Sequence, residues 1–373
     1  MTRVMFIDDE PLVLRSLERA LRVHKLPWET RFVHSADAAL ELLAREPFDV
    51  VITDLRMPDV DGVELLTEVR RAYPGIARLV LSGQVGTEEC LRVMRVAHQC
   101  LAKPCNAAAL RHVVQRIVSA RNLVCDAGLA QATTALAALP SPPRLHIEVS
   151  AAVKRGAGLP ELAHLISSDI ALTAKLIQLV NSAFFAREGR VPTVQRALSV
   201  LGTDVIRDLL DSVEVFRAST GSGVELARLD GAQRHAAFVA RLAHALAPPQ
   251  VANDAFFAGM LHDVGELVLV ELGTHGDHAK AGAYLLALWG IDERVALAIA
   301  SHHEPGAVAD DTAALVDVLH VAEIVAGEAC AGATGHEPDS ISSEWLARND
   351  TNLLVRARAI AADLWMEGAR CAS

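Results

Sequence analysis

Residues 48–62 read Phe48-Asp49-Val50-Val51-Ile52-Thr53-Asp54-Leu55-Arg56-Met57-Pro58-Asp59-Val60-Asp61-Gly62. A β-branched apolar run that closes on a carboxylate and passes into a Pro/Gly loop reads as a buried strand with an acid at its carboxyl end. Outward from it, residues 4–7, 30–34, 78–82 and 100–103 have the same character, so with 48–53 they make five strands. Residues 12–23, 36–44, 62–72, 87–97 and 107–119 carry helical spacing between and after them. Five successive βα units with short connections predict a parallel sheet covered on both faces. Such a sheet gathers its functional residues beyond the carboxyl ends of its strands.

In this reading Asp8 and Asp9 close the first strand, Asp54 the third, Ser82 the fourth and Lys103 the fifth. Three clustered carboxylates repel one another, and a hard divalent cation such as Mg²⁺ relieves that repulsion by taking oxygen ligands. A metal beside a carboxylate can neutralise and orient an incoming phosphoryl group. Lys103 and the Ser82 hydroxyl stand where they can meet its oxygens.

Ile7-Asp8-Asp9-Glu10-Pro11, the stretch 54–62, Leu81-Ser82-Gly83 and Lys103-Pro104 closely resemble the receiver domains of two-component response regulators, across the whole of residues 1–120. The resemblance implies a flavodoxin-like α/β fold with strand order 2-1-3-4-5. It also implies phosphorylation of Asp54 by a histidine kinase, Mg²⁺ held by Asp8, Asp9 and Asp54, and phosphate readout by Ser82 and Lys103. One position departs from the pattern. Three residues before Lys103, where receivers carry a switching aromatic, stands Cys100, too small for the same ring swing.

Past residue 120 the fifth helix is expected to run on as an Ala-rich helical linker over 121–143. Leu139-Pro140-Ser141-Pro142-Pro143 stops it, because proline cannot continue a helix and restricts the residue before it. That stretch is the expected hinge and domain boundary. Residues 144–330 read as an all-α domain with stops at Gly156/Gly158, Gly189, Gly221/Gly223, Pro248-Pro249 and Gly273. Residues 331–373 read as a C-terminal section, a loop over 331–344 and a helix over 345–367.

Eight of the fifteen histidines fall between 235 and 320. His235 opens an expected helix over 234–246, and His262-Asp263 sits inside Gly259-Met260-Leu261-His262-Asp263-Val264-Gly265. Imidazoles and carboxylates on separate helices are what a bundle uses to cage transition metals. The 259–265 stretch and His302-His303 resemble the HD superfamily of metal-dependent phosphohydrolases. Asp169-Ile170-Ala171-Leu172-Thr173-Ala174-Lys175, Asn181-Ser182-Ala183-Phe184-Phe185, Val200-Leu201-Gly202, Leu288-Trp289 and His302-His303-Glu304-Pro305 resemble its HDOD branch, from about residue 139 to 329.

This second resemblance implies a ligand set of His235, His262, Asp263, His278, His302, His303 and Glu323 for Fe, Mn, Zn or Ni. HDOD domains are mostly output or scaffolding modules, whereas HD-GYP relatives hydrolyse cyclic di-GMP. Those hydrolases carry a lysine three residues after the His-Asp aspartate, and here Glu266 would repel a phosphodiester. After His303-Glu304 comes Pro305-Gly306-Ala307-Val308 and no Gly-Tyr-Pro. The expectation is therefore an HDOD output that engages a downstream signalling protein. The alternative is a receiver-gated phosphohydrolase acting on a cyclic dinucleotide or nucleotide.

Other residues read as structural. The 166–180 segment is core, Asn181 ends its helix, His244 lies on a solvated face and Trp289 is a packing anchor. The chain is 51% hydrophobic but only 4% aromatic, and its net charge of −11 opposes broad contact with nucleic acid or an anionic membrane. No helix-turn-helix with a basic face is visible. Six cysteines without a C-x-x-C pair, no leader and no long apolar run lead to the expectation of a cytoplasmic protein with reduced thiols. The receiver resemblance also implies a homodimer.

Overall fold

In the central strands most side chains are withdrawn from water: Val4, Met5, Phe6 and Ile7 are buried, and so are Val50, Val51, Ile52 and the whole of 77–82. Strands apolar on both faces need helices on both faces, which forces the alternation read from the sequence. The computed structural model describes residues 1–371 apart from 25, 84–86, 137, 183–192, 212–215, 219–222, 307–309, 331–340 and 349–350. In order come β1 (Thr2–Ile7), α1 (Pro11–Val23), β2 (Trp28–Val33), α2 (Ala36–Leu43), β3 (Val50–Asp54), α3 (Gly62–Ala72), β4 (Ala77–Ser82), α4 (Thr87–Met94), β5 (Gln99–Ala102), α5 (Ala107–Leu123) and α6 (Ala127–Ala135). The sheet order is β2-β1-β3-β4-β5 with every pair parallel, the doubly wound arrangement expected.

Gly62 has a specific reason to be there. After Asp54 the chain loops out and returns so closely that a Cβ on Gly62 would lie 2.2 Å from the Asp54 carbonyl oxygen. The Gly62 amide donates to Leu55 O at 2.9 Å, and Asp61 and Glu64 close a reciprocal capping box that starts α3. The spacing between Asp54 and Gly62 is thus a loop closure that fixes the acid.

The expected continuous helix over 107–138 is a misreading. It stops at Leu123, and Asp126 caps a new helix by accepting from Leu129 N at 3.0 Å. Ala-rich sequence favours helix on both sides of 124–126, so propensity alone hides the break. The proline stretch is no open hinge either. Leu139–Ser141 is a buried strand, β6, paired in parallel with β7 (Phe216–Ala218), and Pro143 opens the next helix.

Beyond β6 follow α7 (Pro143–Lys154), α8 (Leu159–Ile166), α9 (Ile170–Val180), α10 (Val194–Leu201) and α11 (Thr203–Asp211). After β7 come α12 (Gly223–Leu246), α13 (Ala252–Leu261), α14 (Val264–Leu272), α15 (His278–Leu288), α16 (Glu293–Ala300) and α17 (Asp310–Cys330). The chain closes with α18 (Ser343–Arg348) and α19 (Asn352–Cys371). α12 starts at Gly223, so His235 sits inside it and does not open it. The expected single terminal helix is two. Gly273, at φ +59°, ends α14 in the left-handed conformation that glycine adopts without strain. The expected stops at Gly189 and Gly221, and most of the 331–344 loop, lie outside the described residues.

Two compact units result. The second has its core where α12 packs on α13 and α17, with α16 and α19 against α17. The first holds the sheet, α1–α6, the end of α9 from Ile177 and the end of α15 from Tyr284. Its interior carries a polar seam the sequence reading missed. Gln99 Nε2 donates to Leu288 O at 2.7 Å and Ala287 O at 3.2 Å, while its Oε1 accepts from Arg116 at 2.8 Å. Gln178 Nε2 donates to His98 O at 2.9 Å, and Thr134 Oγ1 lies 2.8 Å from the Tyr284 hydroxyl. Buried Arg78 donates to the carbonyls of Val96, Ile76 and Thr134. Burial lowers the Arg78 pKa to about 9, which leaves it charged at neutral pH and makes those carbonyls necessary.

Residues 166–180 are core as expected, with Ile166, Ile170, Leu172, Leu176 and Leu179 all buried, and so is Trp289. Asn181 follows the last residue of α9, and its side chain donates to Gly290 O at 3.4 Å. His244 is exposed, as read, yet its Nδ1 donates to Ala252 O at 3.0 Å. Among the described residues no single helix is long and apolar enough to cross a membrane. Among the same residues one pair, α8 and α9, bent by 118°, passes on length and composition together.

Candidate functional site

The carboxyl ends of β1, β3, β4 and β5 meet at one edge of the first unit. Lys103 Nζ lies 2.6 Å from Asp54 Oδ1 and 2.8 Å from Asp8 Oδ2, so one ammonium bridges two acids from adjacent strands. Burial works against that charge, but the carboxylates of Asp54 and Asp8 outweigh it and hold the Lys103 pKa above its ordinary value. Asp8 is buried and fixed by accepting from Glu10 N at 2.9 Å, whereas Asp54 keeps 14% of its side chain exposed. Asp9 is half-buried beside Asp8, and Ser82 is buried at the end of β4. Lys103 N donates to Ser82 O at 2.7 Å, which ties the ends of β4 and β5 together.

Cys100 faces the sheet's own core, packed with Met5, Val51 and Val80. Burial, with Cys90 nearby, pushes its thiol pKa up and keeps it neutral. Strand alternation turns its neighbour Gln99 the other way, onto the end of α15. The polar contact on β5 is therefore made one residue before the expected aromatic position. A glutamine inside an otherwise apolar strand was the signal available for it.

The second unit brings His235, His262, Asp263, His278, His302, His303 and Glu323 together. The donor atoms of His235, His262 and Asp263 lie within 4.8 Å of one another, and so do those of His278, His302 and His303. Glu323 joins the first group, its Oε2 2.9 Å from both His235 Nε2 and His262 Nε2. Asp263 stands between the groups, with Oδ2 3.1 Å from His262 Nε2 and Oδ1 3.4 Å from His278 Nε2. The rings of His262 and His302, one from each group, are 5.2 Å apart.

The tautomers can be read from the hydrogen bonds. His262 Nδ1 is 2.7 Å from Gly259 O and His302 Nδ1 is 2.6 Å from Ile299 O. A carbonyl only accepts, so both Nδ1 atoms carry protons, and in the neutral ring each Nε2 turns a lone pair inward. His302 Nε2 is buried with no hydrogen-bond partner among the described residues. His262 Nε2 lies near two carboxylates, but off the line a hydrogen bond requires. Inward lone pairs without donors, with the outer nitrogen held by backbone, suit a metal ion.

The charges fit the same group. Burial opposes ionisation of Asp263 and Glu323, yet their histidine partners hold both pKa values well below the ordinary carboxylate range. For His262, burial is outweighed by Asp263 and Glu323, and its pKa lies well above the ordinary value. His302 behaves oppositely. Burial, then the charge of His262 and His303, pushes it down to about 3, so it stays a neutral donor. Two buried carboxylates thus call for cations, a part the protonated His262 plays where no metal is bound, and the neutral His302 imidazole stands beside them. Beyond the expected set, His320 Nδ1 lies 2.7 Å from His302 O and helps place that residue.

Comparison with known proteins follows this division. Residues 4–115 match the response regulator receiver domain family, residues 139–276 the HDOD domain and residues 233–344 the HD domain. The chain is a response-regulator receiver joined to an HDOD/HD region. Over 121 residues it is 31% identical to the response regulator protein PilR of Pseudomonas aeruginosa, covering 32% of this chain and 27% of that one. Over 125 residues it is 36% identical to the hydrogenase transcriptional regulatory protein HoxA of Cupriavidus necator, covering 33% of this chain and 25% of that one. The chain thus spans about a quarter of the length of these curated relatives. Among solved structures it is similar to the signal receiver domain of an HD domain-containing protein from Pseudomonas fluorescens Pf-5, at 26% identity and TM-score 0.29, over 32% of this chain and 98% of that one.

Proposed function

We propose that this chain is a two-component response regulator whose Asp54 takes a phosphoryl group from a histidine kinase and whose HDOD region is a metal-holding output. Asp8, Asp9 and Asp54 would hold Mg²⁺, and Ser82 and Lys103 would read the phosphate. The observation that carries the switch is the placement of β5. Lys103, immediately after it, bridges Asp54 and Asp8, while Gln99 at its start holds the last carbonyls of α15. α15 begins at His278, a member of the histidine cluster. A phosphoryl group on Asp54 competes for the Lys103 ammonium, and β5 joins that event to α15 through the Gln99 hydrogen bonds. The output then engages a downstream signalling protein, in the cytoplasm, and phosphorylation favours a homodimer. The acidic balance opposes nucleic acid as a partner.

The experiment is hydrogen exchange with and without beryllofluoride, which occupies a phosphoryl site on aspartate. Exchange at 284–291 should change in the native chain and not in Asp54→Ala. No change in the native chain refutes the switch.

A second reading, a receiver-gated phosphohydrolase, is favoured by one observation, the two adjoining donor groups sharing Asp263. Fe, Mn, Zn or Ni held by His235, His262, Asp263 and Glu323, and by His278, His302 and His303, would supply Lewis-acid activation of a phosphoester. The protein's own part is to fix the neutral imidazoles and exclude water around His262 and His302. Turnover of a cyclic dinucleotide or nucleotide, lost in His262→Ala, would establish it. Turnover that persists in His262→Ala would refute it.

A further inference from the structure

Each histidine that is to present Nε2 inward needs something to hold Nδ1. His262 and His302 find it three residues back along their own helices, at Gly259 O and Ile299 O. That works because a helical side chain leans toward the helix N-terminus. His278 has no such carbonyl, since it is the first residue of α15. Its Nδ1 instead lies 3.2 Å from Glu266 Oε1.

Two glycines make that contact. A Cβ on Gly265 would lie 1.8 Å from His278 O, and one on Gly282 would lie 2.8 Å from Gly265 N. The first turns of α14 and α15 therefore touch backbone to backbone. Glu266, the residue after Gly265, is delivered beside the His278 ring. The Glu266 carboxylate draws a proton to Nδ1, and in the neutral ring that leaves Nε2 as the nitrogen facing the other donors, 3.0 Å from His303 Nε2 and 3.4 Å from Asp263 Oδ1.

We infer that Glu266 is a positioning residue whose carboxylate fixes the His278 ring, so that Nε2 serves as a metal donor beside His302 and His303. This rests on the reading of the cluster as a metal site. It also changes the meaning of Glu266, which the sequence presents as a charge turned against substrate phosphate. One of its oxygens lies 3.2 Å from the His278 ring. Outer carboxylates on metal-bound histidines are worth about 10- to 100-fold in metal affinity.

The test uses the full chain, dialysed against buffered Zn²⁺ and assayed for bound zinc, with ¹⁵N spectra of the histidine rings of the zinc-free protein. Glu266→Gln keeps an acceptor oxygen, whereas Glu266→Lys replaces it with a donor. The native chain should hold two zinc ions and carry the His278 proton on Nδ1. Glu266→Lys should bind one of the two roughly 100-fold more weakly, keep the other, and lose the Nδ1 tautomer. Glu266→Gln should fall between them. Retention of the His235–His262 ion marks an intact fold. Equal zinc binding and an unchanged tautomer in Glu266→Lys overturn the inference and leave the metal site standing, and loss of both ions together also overturns it. A native chain that holds no zinc overturns the metal reading and this inference with it.

Discussion

Replacing Asp169 by Asn should stabilise the protein at neutral pH and leave it almost unchanged near pH 4. Asp169 is fully buried ahead of α9, where Oδ1 accepts from Leu172 N at 3.0 Å and Oδ2 from the Ser141 hydroxyl. Burial dominates those hydrogen bonds and raises its pKa from 3.8 to about 6. An acid whose pKa is raised on folding binds its proton more tightly in the folded state. Its contribution to stability is thus complete below about pH 4 and is lost as pH rises through about 6. A shift of roughly two units corresponds to about 3 kcal/mol.

Asn has the same shape, caps a helix as well as Asp does and does not titrate in this range. The stability difference between Asp169→Asn and the native chain should therefore grow from near zero at pH 4 to about 3 kcal/mol at pH 7. In thermal unfolding of the second unit that is on the order of 6–12 °C. Denaturation of both proteins at four pH values between 4 and 7.5 measures it. A difference that does not vary with pH, or an Asn variant less stable at pH 7, refutes the assignment of a strained buried carboxylate.

Other perturbations have equally definite outcomes. Asp54→Asn should take up no phosphoryl group from acetyl phosphate in a phosphate-affinity gel, while Asp59→Asn, on the loop that follows, should still be modified. Gln99→Ala leaves the Ala287 and Leu288 carbonyls and Arg116 without this partner and should cost about 2–3 kcal/mol in urea unfolding. Gly265→Ala drives a methyl into His278 O, so it should lower stability by about 3 kcal/mol and reduce bound metal.

The receiver fold and its pocket were legible because their signals are local. A buried parallel strand announces itself as a β-branched run, and its last residue is by construction at the functional edge. Cys100 could be placed by counting back from Lys103, but its neighbour Gln99 could not be read, because its partners are 188 and 189 residues away in sequence. Leu139–Ser141 was misread for the same reason. A three-residue strand containing proline has no periodicity, and its partner starts at Phe216. The helix break at 124–126 was hidden by good helix formers on either side.

The histidine cluster divides along the same line. Its members were identifiable by residue type and resemblance, but the tautomers depend on backbone carbonyls, and Glu266 depends on two glycines bringing helices into contact. Charge alone suggested a residue facing phosphate. Geometry turns it toward His278.

The proposed metal-holding output joined to a phosphoryl-accepting receiver is tested by anomalous X-ray scattering from crystals of the full chain, purified without chelators. The account predicts two metal peaks, one among His235, His262, Asp263 and Glu323 and one among His278, His302 and His303. Diffraction data with no anomalous peak at either group would contradict it.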